Sequence, residues 1–255
     1  MRLQELFETT EEDRALISLS SAIYARLQQY INIDQDYTDE DEEVVALGKI
    51  GDLFDTPIGV LNNVGIELQG GEPFVRRAKS IDAADAVKIS DKIILAIWDD
   101  TTKSVVFNID YLDSDRMRTT ITHELRHALD EYKSGSYPPS PKNKTPELTN
   151  RYFTPKKKEH RKDDPYSTAQ YRAQPAEINA RFTEVLDTLA TRIIPRANKL
   201  SSDQARPKIM HDLNHLLIKY GIADLFPERT QSRDYKRLIK RAVDFIDKEL
   251  AHLNS

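Results

Sequence analysis

The run Thr122-His123-Glu124-Leu125-Arg126-His127-Ala128-Leu129-Asp130-Glu131 sets the reading of the whole chain. It contains H-E-x-x-H, and its neighbours place it on a helix. Met117, Ile121, Leu125, Ala128, Leu129 and Tyr132 recur at helical spacing over residues 114–133. Ser114 is the expected N-cap, Asp113 and Asp115 suit the positive end, and Gly135 is the expected stop. Residues four apart share a helix face, so the His123 and His127 imidazoles can bind one Zn²⁺. Glu124 then projects beside the metal, where a carboxylate can act as general base.

Upstream, two β-rich runs precede this helix, Lys92 to Trp98 and Ser104 to Tyr111, joined by a hairpin loop at residues 99–103. Alternation in the second run predicts one buried and one wetter face. Residues 10–31 predict a helix with Leu16, Ile23, Leu27 and Ile31 inward. The stretch from Asp34 to Glu43 holds seven acids and reads as a solvated loop, with a Ca²⁺ site as the alternative. Val44 to Ile50 suggests a short helix, Pro57 a turn, and Gly70-Gly71 with Pro73 a break.

Downstream the chain is helical. Pro175 opens a helix to about Ile194, which Pro195 ends or kinks. Further helices are expected from Pro207 to Tyr220, stopped by Gly221, and from Ser232 to Leu253, with Tyr235, Leu238, Ala242, Phe245, Ile246 and Leu253 on one side. Two histidines leave a catalytic zinc short of a protein ligand. The H-E-x-x-H-x-x-G-x-x-H spacing is absent, since no His lies from Tyr132 to Gly135. Glu177, in the first turn of the helix opened by Pro175, is the expected third ligand. Glu184, two turns on, is the alternative. Asp130 and Glu131 read equally as acceptors for the ligand rings or as surface residues. Tyr171 is the candidate donor to a developing oxyanion, with Tyr166, His160, His211 and His215 as others. His211 and His215, also four apart, read as a solvated polar face or a second two-ligand clip.

With His123, Glu124, His127 and Glu177 in view, residues 92–190 resemble the gluzincin class of zinc metallopeptidases. In that class H-E-x-x-H occupies one helix and a Glu from a later helix completes the site. The resemblance implies an α+β, zincin-like fold: a small sheet, an active-site helix and a C-terminal helical layer. It also implies that an edge strand aligning the substrate backbone maps onto Ser104 to Tyr111. The N-E-x-x-S-D helix of the thermolysin type is absent, so the register of the third ligand stays open. THELRHALDE followed by YxxxPxE also resembles HExxH proteins of tailed bacteriophages and related mobile elements.

Composition narrows the alternatives. The 255 residues carry 37 Lys plus Arg against 42 Asp plus Glu, and no Cys, which excludes thiol nucleophiles and Cys-ligated metals. A net charge of -5 argues against a globally electrostatic nucleic-acid binder. No apolar run is long enough to span a bilayer, and MRLQELFETTEED lacks the blocks of a signal peptide. A cytoplasmic or virion-associated protein is therefore expected. Residues 142–162 hold eight basic and two acidic side chains within a Pro-rich stretch, 136–170, that reads as a basic flap bordering the cleft. Residues 1–255 are read as a single domain, with 1–43 an N-terminal helix and acidic loop and 171–255 the C-terminal helical part. The expected function is zinc-dependent hydrolysis of a protein or peptide substrate. The alternatives are a structural or virion-assembly protein with a metal site, and a nucleic-acid-binding module using residues 142–162.

Overall fold

The computed structural model describes residues 10–31, 44–85, 93–134, 175–200, 202–226 and 232–253. Helix α1, Thr10–Leu27, starts with Glu11, Glu12 and Asp13 at its positive end and carries Arg26 in its last turn. Leu16, Leu19, Ile23 and Leu27 form its buried stripe. The helix tightens into a 3₁₀ turn at Gln28–Tyr30, so Ile31 falls beyond the stripe and is exposed.

Val45–Lys49 is strand β1, where the sequence suggested a helix. Two features account for the difference. β1 pairs antiparallel with β2, Gly65–Gln69, and the register shifts between Ala46 and Gly48. Gly48 has φ +129°, which an L side chain rarely adopts and which this bulge uses. A helix does form next, but as the single turn α2, Ile50–Leu53. Gly70 separates β2 from helix α3, Gly71–Asp85, and Pro73 sits in that helix's first turn. Neither β2 nor α3 carries a strong enough sequence period to be read in advance.

β3, Ala96–Asp99, and β4, Ser104–Asn108, form the expected hairpin, with Ile109–Tyr111 turning off as 3₁₀. The sheet order is β1-β2-β4-β3, with β2 and β4 parallel. Both faces of β4 are buried, against the expectation of a wetter one. Val105 and Phe107 join the core beneath α1, while Val106 packs with Ile97 against Phe74 and Ala78 of α3. Arg77 of α3 braces the strands, donating to Asp99 and Glu67 at 2.8 Å each.

Helix α4, Met117–Ser134, begins three residues after Ser114, whose carbonyl accepts from Met117 N–H. Its Met117, Ile121, Leu125, Ala128 and Leu129 enter the core shared by α1 and the sheet. α5, Pro175–Thr188, runs into a π turn at Leu189–Ile193 and then α6, Ile194–Ala197, which holds Pro195 in its first turn. The π turn is the local cost of a proline that cannot continue an α ladder. α7, Ser202–Lys219, starts five residues earlier than expected and keeps Pro207 inside it. It stops at Gly221, φ +70°, with Ile222 N–H bonded back to the Leu217 carbonyl. In α8, Arg233–Leu253, Tyr235, Leu238, Ala242, Phe245 and Ile246 are buried as expected, but Leu253 is exposed at the fraying end.

The apolar side chains form two main cores. One lies between the sheet, α1 and α4. The other lies among α5, α7 and α8, joined by Ile17 of α1. The seam between them is the packing of α4 on α5. A buried polar network crosses it. Arg241 of α8 grips both oxygens of Asp13 and donates to Asn179 Oδ1, while Asn179 donates to Asp130. Arg126, fully buried, lies 3.0 Å from Asp130 and 3.2 Å from Glu12. An α+β chain with a four-stranded sheet and a C-terminal helical layer is therefore present among the described residues.

Candidate metal centre

The seam places three ligand-type side chains together. His123 and His127 project from α4, and Glu177 comes from the first turn of α5. Nε2 of His123 lies 2.9 Å from Nε2 of His127. Glu177 Oε2 lies 3.5 Å from each of these nitrogens. Zinc bonds of 2.0–2.1 Å in a tetrahedron separate ligand atoms by about 3.3–3.4 Å, so the triangle is close to the size an ion requires.

Glu177 Oε2 is buried and has no hydrogen-bond donor among the described residues. An orphaned carboxylate oxygen facing two imidazole nitrogens is expensive unless a cation joins them. The other oxygen, Oε1, accepts from Arg181 Nε at 2.5 Å. Nδ1 of His123 lies 2.6 Å from Glu184 Oε1. A proton on Nδ1 leaves Nε2 with its lone pair toward the triangle, the tautomer a ligand needs. Glu184 thus contacts the far nitrogen of His123 and is not one of the three clustered side chains. The group could hold a metal ion.

Electrostatics without an ion points the same way. Burial acts to lower the His123 pKa, but the Glu177 and Glu184 carboxylates outweigh it and hold the ring well above the usual imidazole value. Burial acts to raise Glu177, but His123, His127 and Arg181 outweigh it and hold the carboxyl well below the usual range. The site is built to stabilise positive charge next to Glu177.

Glu124 is half-buried, and its Oε2 accepts the main-chain N–H of Trp98 at 2.8 Å. Burial raises its pKa above the usual carboxylate value, against the pull of His123 and His127. That contact corrects the strand assignment. β4 lies inside the sheet between β2 and β3, so it offers no free edge; among the described residues β3 is the edge strand beside α4. Trp98 is held a second time, through indole Nε1 at 2.6 Å from Glu131 Oε2. Lys103 also pairs with Glu131.

Asp130 and Glu131, expected as acceptors for the ligand rings, serve Asn179 with Arg126, and Trp98 with Lys103. Tyr171, Tyr166, His160, the basic segment 136–170 and the acidic run 34–43 lie outside the described residues. His211 and His215 are exposed, with Nε2 atoms 3.1 Å apart, and no third ligand-type side chain joins them among the described residues.

Arg181 and Trp98 were not foreseen. Arg181 had a signal, since it stands four residues after Glu177 on one helix face. Trp98 had none, because its contact to Glu124 spans 26 residues and uses the main chain. The chain matches no protein-family model, no curated protein and no solved structure.

Proposed function

We propose that the chain is a zinc-dependent metallopeptidase of the zincin kind, with His123, His127 and Glu177 as ligands and Glu124 as general base. The observation that carries this reading is the buried triangle with its orphaned Glu177 oxygen, one residue from a half-buried glutamate. Two imidazoles and one carboxylate are a donor set that suits Zn²⁺. Zinc bound there supplies Lewis acidity, lowering the pKa of a coordinated water and polarising a carbonyl.

The chain's own groups do the rest. Trp98 N–H occupies Oε2 of Glu124 and fixes the carboxylate, so that Oε1 is the oxygen left to take a proton. Burial lifts the Glu124 pKa, which makes the carboxylate a better proton acceptor than an exposed one. The outer edge of β3, which has no partner strand among the described residues, is the edge beside Glu124 along which an extended peptide would lie. No helix among the described residues is long and apolar enough to cross a membrane.

The test compares metal content with turnover of a mixed peptide library. The parent is expected to hold about one zinc per chain, and His123→Ala with His127→Ala to hold almost none. Glu124→Gln should fold, keep its zinc and lose about 100- to 10,000-fold in hydrolysis. Glu177→Ala should bind zinc more weakly, with added zinc restoring only part of the activity. A Glu124→Gln variant as fast as the parent removes the peptidase mechanism. A metal site that binds zinc yet cleaves no peptide favours the structural reading.

A further inference from the structure

Helix α5 presents three charged side chains to the metal centre. Glu177, Arg181 and Glu184 are spaced four and then three residues apart, so they stand in one row on the helix face that meets α4. Each has a separate task. Glu177 is a corner of the triangle, Arg181 holds the far oxygen of Glu177, and Glu184 holds the far nitrogen of His123.

The two oxygens of Glu177 are therefore in opposite situations. Oε1 accepts a charge-assisted bond from Arg181 Nε at 2.5 Å. Oε2 is the buried atom with no donor, 3.5 Å from both imidazoles. Arg181 is itself pinned, since its Nη1 donates to the Tyr220 carbonyl at 3.2 Å, just past the end of α7. The guanidinium is thus tied to α5 at one end and to the turn after α7 at the other. A lysine has a single ammonium and cannot reproduce both bonds in that planar geometry.

We propose that Arg181 is the positioning residue that fixes the denticity of Glu177. By occupying Oε1 it restricts the carboxylate to ligation through Oε2 alone. The protein then supplies three donor atoms, and a coordination position stays free for an exchangeable ligand. This inference rests on the metal-centre reading above. Without Arg181 the carboxylate is free to turn and offer both oxygens, as carboxylates do around cations when nothing holds the second oxygen. That would add a fourth protein donor beside the exchangeable ligand, raising the coordination from four to five, and would also loosen the ligand's aim.

The experiment uses the full chain loaded with Zn²⁺ or with Co²⁺ in its place. Parent, Arg181→Met and Arg181→Lys are compared by chelator competition for zinc and by visible absorption of the cobalt form. Cobalt absorption weakens when coordination rises from four to five. Arg181→Met keeps the apolar stem and removes the donors. It should lose about 10- to 100-fold in zinc affinity, and its cobalt spectrum should weaken toward the five-coordinate type. Arg181→Lys should fall between it and the parent in both readouts. Circular dichroism monitors folding, and if Arg181→Met fails to fold, Arg181→Lys carries the test alone. Parent-like affinity with a parent-like cobalt spectrum in the folded variant overturns the proposal. A parent chain that binds neither Zn²⁺ nor Co²⁺ overturns the metal-centre reading instead.

Discussion

Glu184 Oε1 lies 2.6 Å from Nδ1 of His123, across the seam where α4 packs on α5. The contact holds the ring's orientation from a helix on the opposite core. Ligand histidines depend on such partners, and their loss costs about 10- to 100-fold in metal affinity. Glu184→Ala should show a loss of this size by chelator competition. Glu184→Gln keeps a carbonyl oxygen as acceptor and should lose less. If the alanine variant binds zinc like the parent, the contact does not orient the ligand.

Asp13 and Arg241 form a buried pair that joins α1 to α8, with Asn179 and Asp130 extending it to α5 and α4. Removing one member of a buried pair leaves the other charged and desolvated, at a cost of about 3–5 kcal/mol. Arg241→Ala should lower the urea unfolding free energy by about that amount. Asp13→Asn combined with Arg241→Met should recover part of it, because neither residue is then a stranded ion. A single variant with parental stability would show that the network contributes nothing to holding the helices together.

Asp187 gives a pH dependence of defined sign. Burial raises its pKa to about 6, against the opposing pull of Arg118, whose Nη2 lies 3.1 Å away. The ordinary value is 3.8. Below that value both folded and unfolded chains hold the proton, and Asp187 costs nothing. As pH rises from there to about 6, the unfolded chain releases the proton first, so this residue's contribution lowers stability. Two pH units correspond to roughly 3 kcal/mol. Asp187→Asn cannot titrate. Between pH 4 and 6.5 the stability difference should therefore move in favour of the variant, by up to about 3 kcal/mol. Unfolding curves for the pair across that range check it, and a constant difference would show that Asp187 titrates normally.

How much of this was legible in the sequence varies with the distance over which the information acts. His123, His127 and the inward stripe of α4 follow from a period of 3.6 residues, and the structure has them on one helix as read. Glu177 was reachable because Pro175 marks a helix start and a zinc site with two histidines needs a third ligand. β1 was not, since five residues holding Val45, Leu47 and Gly48 fit neither period well, and the bulge that makes them a strand depends on β2. The buried second face of β4 depends on α3, which covers Val106. That Glu184, and not Asp130 or Glu131, contacts a histidine ring is also tertiary. Asp130 and Glu184 each reach across the packing of α4 on α5, while Glu131 turns to the hairpin at Trp98 and Lys103, and only the assembled fold determines which carboxylate reaches a ring nitrogen.

Trp98 is the chain's one tryptophan. Its main-chain N–H is bonded to Glu124 and its indole N–H to Glu131, both on the helix that carries His123 and His127. Ultraviolet emission from the whole molecule, excited at the red edge of protein absorption, therefore originates beside the His123, His127 and Glu177 cluster. An ion or a peptide arriving there would register as a change in colour or brightness, with no label attached.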